Sequence, residues 1–350
     1  MARHGRLITS PRHGAGRAPT VNDVAEAAAV SRQTVSNVVN SPERVHPQTR
    51  ARVQAAIDDL GYRPNRMARN LQARASRLVG YRIPGGSSGG NPLLDRFLHA
   101  LTEAARADGY HLLLFTPDDE RDEVDAHADL VATGTVDGFV LSETDYGDSR
   151  VSWLSERGVP FVVFGRTNID VPYSWVDVDG RTGVASAVAH LAARGHRRIA
   201  FIGWPEGSAT GDRRAEGWVT GLTDAGLGPP DPALCVRGED GPRTGAEALD
   251  HLLRLADPPT AVVTASDLIA IGALAAARAR GVEAGAALGV VGFDDSPVAP
   301  HLLPPLTSIR QPLEQVGRTI VGLLTARIAG AAPDPDGVLL TPELVVRQSS

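Results

Sequence analysis

Lysine is missing altogether from this 350-residue chain, so all 35 of its basic side chains are arginines. That pattern fits coding bias in a GC-rich genome. It also excludes a Walker-type phosphate loop, which needs a lysine. Cysteine occurs once, at Cys235, so no disulfide can close within the chain and a reducing compartment fits. No apolar run approaches the ~18 residues of a membrane span. The basic N-terminal stretch has no apolar segment of the kind a secretory signal requires, so a cytoplasmic protein without membrane contact is expected. No strand-anchored GxGxxG, GxSxG or HExxH occurs, so neither an enzyme nor a metal or cofactor site is expected. The glycine-rich run Gly85-Gly86-Ser87-Ser88-Gly89-Gly90 has neither the lysine nor the spacing of a phosphate loop, and reads as a loop at a cleft mouth.

What is present is a globular composition, 42% hydrophobic and 22% charged, in a chain too long for one typical domain. Charge divides unevenly along it. Residues 1–78 carry 13 arginines against 5 acidic residues, a net +8; the rest carries 22 against 36, a net −14, for a whole-chain charge of −6. A cationic head on an anionic body points the head toward a polyanion such as DNA. Residues 1–18, with four arginines and two histidines, read as a disordered basic arm that either adds phosphate attraction or does nothing.

Residues 19–63 read as a small helical domain. Thr20, with Asp23 three residues on, forms the signature of a capping box. A short helix follows, then a tight turn at Ala29-Val30. Ser31 caps a second helix, Arg32 to Val39, with an apolar stripe of Val35, Val38 and Val39. Two short helices so joined fit a helix-turn-helix, in which the start of the second helix meets base edges in the major groove. The residues placed there are Arg32, Gln33 and Asn37. Arginine suits guanine O6/N7, and the amides suit adenine N6/N7. Ser31, Thr34 and Ser36 suit phosphate. A third helix starts at His46-Pro47, buries Val53, Ala56, Ile57 and Leu60, and stops at Gly61.

The run DVAEAAAVSRQTVSNVVN, which ends at Asn40, is followed at the expected separation by YRPNRMARNL. In both runs the chain resembles the LacI/GalR family of bacterial repressors, and the likeness continues to the C-terminus. The resemblance implies that Thr20, Ser31, Arg32, Gln33, Thr34, Ser36, Asn37 and Asn40 face operator DNA. It makes residues 64–76 a hinge helix and linker, with Asn65, Ala68 and Leu71 in the minor groove and Leu71 wedged between base pairs. Asn37 stands where many members carry arginine, so an altered half-site is expected there.

Beyond residue 76 strands and helices alternate, which implies parallel sheets covered by helices. Strands are expected at 78–81, 111–115, 137–141, 160–164, 175–176, 199–202, 261–264 and 289–293. Helices are expected at 93–108, 122–132, 152–157, 182–194, 214–225, 244–255 and 268–280. The fold class is therefore α/β: an all-α head and hinge, then two doubly wound parallel-sheet subdomains. The resemblance makes those halves periplasmic-binding-protein-like, one of residues 77–175 and 309–336, the other of 176–308 and 337–350. Crossings between them are expected near 174–177, 306–311 and 335–339.

A ligand would sit between the halves, at the carboxyl ends of the strands. The resemblance assigns effector contacts to Arg214, seen as preceding a helix start, and to Asp294 at a strand's end. It adds Asp267, Ser266 in place of a frequent asparagine, Arg166 after a strand, and Asn91. His196, after Gly195, reads as satisfying a turn. The partners implied are double-stranded operator DNA, a small effector of sugar type and a second copy of the chain. The chain ends without a leucine heptad, so a dimer is expected. Two rivals are weighed: an exported sugar-binding protein, and a helix-turn-helix protein whose body only dimerises.

Overall fold

A computed structural model describes residues 19–63, 75–83, 92–116 and 123–350. The chain divides into two compact units at Ala75/Ser76, each considered by itself.

The first unit holds α1 (Val21–Ala27), α2 (Arg32–Asn40) and α3 (Pro47–Leu60). Val24, Ala25, Ala28, Val35, Val38, Val53 and Ala56 form its core. Leu60 is 38% exposed, outside the expected buried face; α3 ends there, and Tyr62 packs on the core instead. Ala29 makes the turn between α1 and α2 with φ +48°, a left-handed conformation that costs an L-residue about 1–2 kcal/mol. Gly61 ends α3 at φ +60°, where glycine carries no such cost.

The second unit contains two sheets of six strands each. The first is built from β1 (Leu78–Arg82), β2 (His111–Phe115), β3 (Gly138–Leu141), β4 (Phe161–Phe164), β5 (Ser174–Val178) and β11 (Val338–Leu340), in the order β11-β5-β4-β3-β1-β2. The second comprises β6 (Ile199–Gly203), β7 (Cys235–Arg237), β8 (Ala261–Thr264), β9 (Gly289–Asp294), β10 (Thr307–Arg310) and β12 (Glu343–Val345), in the order β12-β10-β9-β8-β6-β7. Every pairing is parallel except β10 with β12. The two sheets thus share one strand order and differ only in the direction of the last edge strand. In each, the strand order switches beside the first strand, β1 or β6, which opens a crevice at the carboxyl edge.

Helices α4 (Pro92–Ala107), α5 (Glu123–Ala132), α6 (Ser149–Glu156) and α11 (Leu313–Ile328) accompany the first sheet. Helices α7 (Gly180–Ala193), α8 (Ala209–Asp224), α9 (Pro242–Leu252) and α10 (Asp267–Ala279) accompany the second. Strands β6, β8 and β9 are buried throughout, as parallel strands covered on both faces must be.

Three expectations need correction. Strand β5 pairs with β4 and β11, so it belongs to the first sheet rather than to the second half. Strand β10 lies in the second sheet, and α11 buries Val316, Ile320 and Leu324 in the first-lobe core. The crossings therefore fall after Val178 and after Leu340, each just past its expected range, and after Arg310, within the expected 306–311. Helix α8 begins at Ala209 behind its cap Ser208, so Arg214 sits inside the helix and not before it.

Helices α9 and α10 touch through glycines. A Cβ on Gly272 would run into the Pro242 carbonyl, and one on Gly245 into that of Ile269. Gly272→Val is expected to cost about 2 kcal/mol or more, because both helices must separate. A thermal melt would read it as a Tm drop of several degrees. An unchanged Tm would show that the contact is not tight.

Candidate DNA interface and effector cleft

On α2 the Ser31 hydroxyl accepts the Thr34 amide at 3.1 Å and lies 2.9 Å from the Thr34 hydroxyl. Gln33 Nε2 donates to Asn37 Oδ1 at 3.0 Å, so these amides, one turn apart, form a single linked edge. Asn40 Nδ2 donates to Ser36 Oγ at 3.2 Å. Arg32 is exposed at the first helical position. Thr20 caps α1: its amide and hydroxyl both donate to Asp23 Oδ2, each at 2.7 Å. The hinge positions Asn65, Ala68 and Leu71, like Asn91 and the glycine run from Gly85, lie outside the described residues.

Between the two sheets lies a cavity of about 580 Å³. Pro92 and Leu93 at the start of α4, and Glu143 to Asp145 after β3, bound it on one side. Trp204 after β6, Asp240 after β7, Asp267 opening α10, and Asp294 and Ser296 at the end of β9 bound it on the other. All of the strand-borne groups follow carboxyl ends, where an open α/β sheet exposes main chain and loops to a ligand.

Arg214 lies behind this wall. It is buried, donates from Nη1 to the Ala265 carbonyl, and has its guanidinium 3.7 Å from the Phe293 ring centroid and 4.7 Å from that of Trp204. Burial lowers its pKa, and the carboxylates of Asp294, Asp240 and Asp177 counteract the shift.

Asp294 is pushed up to about 8 by burial, with the Arg214 cation opposing and the Asp267 charge adding. Its Oδ1 accepts Gln311 Nε2 at 2.7 Å. Asp267 is raised to about 6, again by burial, while Ser308 and Ser296 oppose the rise. It accepts the Ser308 hydroxyl at 2.6 Å and the Ser296 amide at 2.7 Å, so both its oxygens already hold the β9–β10 region together.

Asp294 and Asp295 have φ of +110° and +46°. Two consecutive non-glycine residues in this region store backbone strain, as functional sites often do. Asp295 is held by Arg310 and Arg347, each at 2.7 Å.

Two residues expected in the cleft have partners within the chain and are not among the residues lining the cavity. Ser266 caps α10, accepting the Ile269 amide at 3.2 Å and donating to Asp240. Arg166 pairs with Asp177 at 2.8 Å and lies 5.2 Å from the centroid of the Trp175 ring. The His196 backbone N–H closes the turn after α7 on the Leu191 carbonyl at 3.1 Å, and its ring lies 3.0 Å from the Thr260 hydroxyl of another loop.

Sequence reasoning missed three residues that matter here, Thr144, Ser296 and Trp204. Thr144 Oγ1, Ser296 Oγ, Trp204 Nε1 and, behind the wall, Nε of the foreseen Arg214 are buried polar atoms with no hydrogen-bond partner among the described residues. Such groups are costly unless something else satisfies them. Arg96, also unforeseen, reaches from α4 in the first lobe to the second, donating to the Asp295 carbonyl at 2.9 Å and the Asp294 carbonyl at 3.3 Å. Asp145 likewise accepts the Ala209 amide at the start of α8, at 3.2 Å. A glycine-aromatic-proline sequence at a strand's end was the available signal for Trp204. Nothing local marked the others.

The raised pKa of Asp294 has a stability consequence. Its folded pKa of about 8 lies above the free value of 3.8, so its contribution is full below about pH 4 and fades as pH rises to about 8. Urea unfolding of the ligand-free protein should show stability falling across that window, and less steeply in Asp294→Asn. Equal slopes would remove Asp294 as the cause.

The fold and cleft define a class: a two-lobed, binding-protein-like effector domain carrying a helix-turn-helix head. Comparisons agree. Residues 20–65 match the family described as bacterial regulatory proteins, lacI family, and residues 188–350 match the periplasmic binding protein-like domain. The HTH-type transcriptional regulator CelR of Thermobifida fusca is 36% identical over 340 residues, covering 95% of this chain and 98% of that one. A solved CelR–cellobiose complex superposes with a TM-score of 0.73 at 35% identity, covering 95% of this chain and all of that one. The lac repressor dimer bound to operator and the anti-inducer ONPF gives 0.81 at 29% identity, covering 95% and 99%. The chain belongs to the LacI family of transcriptional regulators, and its role is regulatory rather than enzymatic. Among the described residues no helix is long and apolar enough to cross a membrane.

Proposed function

We propose that this protein is a repressor that binds a near-palindromic operator as a dimer and is released or recruited by a sugar in the cleft. The observation that carries the effector half is the set of buried, unpartnered polar atoms around the cavity, Thr144 Oγ1 and Ser296 Oγ foremost. They come from opposite lobes, so one ligand that satisfied both would favour one relative lobe position. The CelR–cellobiose complex supports a sugar, and the operator-bound lac repressor supports DNA binding as a dimer.

In this reading Arg32, Gln33 and Asn37 face base edges, and Ser31, Thr34, Ser36, Asn40 and Thr20 help to position the phosphates. Residues 64–76 act as the hinge, with Leu71 as the minor-groove wedge. Arg214, Asp294 and Asp267 hold the effector, directly or through the wall that they brace. Selection of random duplex DNA by the purified protein, with and without a sugar panel, tests the scheme. A palindrome whose affinity changes with one sugar is the expected result. Recovery of no motif under either condition would sink it.

A further inference from the structure

We propose that the cleft is selective for an uncharged saccharide and rejects phosphorylated or carboxylated ones. The inference rests on the sugar reading above and narrows it.

The cavity's charge is one-sided. Glu143 and Asp145 from the first lobe, and Glu206, Glu239 and Asp240 from the second, line it as exposed residues. Deeper in, Asp267 and Asp294 are buried, and burial raises both carboxyls, so the repelling charge comes from the exposed rim. No arginine or histidine stands among its lining residues in the described part of the chain. The neighbouring arginines are already engaged, Arg96 by the Asp294 and Asp295 carbonyls. Arg214 sits behind Trp204 with Asp294 and Asp240 balancing its charge. Arg166 and Arg213 share Asp177, at 2.8 and 3.6 Å. Arg82 pairs with Glu143 at 3.5 Å.

A cleft lined by one sign of charge between low-dielectric walls concentrates that potential. A phosphate or carboxylate entering it meets like charge on both lobes and finds no guanidinium among the described lining residues, and like-charge juxtaposition strongly disfavours binding.

The same groups suit neutral hydroxyls. An ionised carboxylate only accepts hydrogen bonds, while a sugar hydroxyl donates one and accepts others. Thr144 and Ser296, only 4% and 5% exposed, offer unpartnered hydroxyls that can do both. Trp204 adds an apolar ring face for the C–H side of a pyranose and an unpartnered N–H for one oxygen. An ammonium cation, which needs acceptors only, would leave those donors unused.

Isothermal titration and thermal shift of the full-length protein with matched pairs test this. The pairs are glucose with glucose 6-phosphate, cellobiose with cellobionate and maltose with maltobionate, and glucosamine serves as the cationic probe. At least one neutral member is expected to bind about tenfold or more tightly than its anionic partner. That gap should narrow at high salt and in the double variant Glu206→Gln/Glu239→Gln, as an electrostatic barrier requires. Trp204→Ala should weaken the neutral sugar by about tenfold or more. An anionic partner binding as well as its neutral counterpart, or glucosamine binding best, overturns this inference while leaving the sugar reading intact. Binding of none of these saccharides overturns both.

Discussion

Arg214→Ala is expected to abolish effector control: the ratio of operator Kd with and without effector should fall to about one. Coupling in such systems is typically about 1–3 kcal/mol, or roughly 5–150-fold, so its loss is readily measured. The reason lies in what the guanidinium braces. It stacks against Phe293 and Trp204, bonds the Ala265 carbonyl, and supplies the cation beside Asp294. Without it, Trp204 loses its backing and Asp294 its counter-charge. Both form part of the cavity wall. Removing one partner of a buried charged cluster also destabilises, by about 3–5 kcal/mol where the other charge stays unpaired. Arg214→Lys, which keeps a cation but not the planar stack, should fold better and still respond poorly. If Arg214→Ala folds and retains full effector response, the bracing role is wrong.

The second large effect belongs to Arg32→Ala. Arg32 is exposed at the first position of α2, beside the Gln33–Asn37 amide pair. If it grips one guanine, its loss costs about 1–3 kcal/mol per half-site and relaxes preference at that base pair alone. A phosphate contact would behave differently, weakening all sequences alike and reducing the salt slope by about one. Operator titration against single-base variants over a range of salt distinguishes the two. Uniform weakening would reassign Arg32 to the backbone.

The alternation of strands and helices was legible because parallel strands covered on both faces are continuous apolar runs. Ala261–Thr264, buried throughout, coincides with its expected limits; so does the half-exposed edge strand His111–Phe115, on its apolar run alone. The strands β7, β11 and β12 escaped notice because each has three residues and a half-exposed pattern, too short for any period to show. Helix α11 did carry an apolar face, Val316, Ile320 and Leu324, but the segment before it resembled a crossover and drew the attention. Lobe boundaries shifted because nothing in Ser174–Val178 says which sheet it will join; pairing with β4 decides that.

The site divides the same way. Asp294 and Arg214 could be found from strand ends and a motif. Thr144, Ser296 and Arg96 acquire meaning only where two lobes meet, and a linear pattern cannot express that. Ser266 and Arg166 had suitable chemistry at suitable positions, and a helix end and Asp177 are the partners that the sequence did not show.

Arg96 grasps main-chain oxygens at 294 and 295 rather than their carboxylates. The inter-lobe clasp is therefore indifferent to side-chain identity at the strand's end, provided that the left-handed backbone persists there. The side chain at 294 can then be exchanged without loss of the clasp, with asparagine or glycine as the least strained replacements. The clasp is written in backbone atoms and the side chain at 294 in others, so the one can be kept while the other changes.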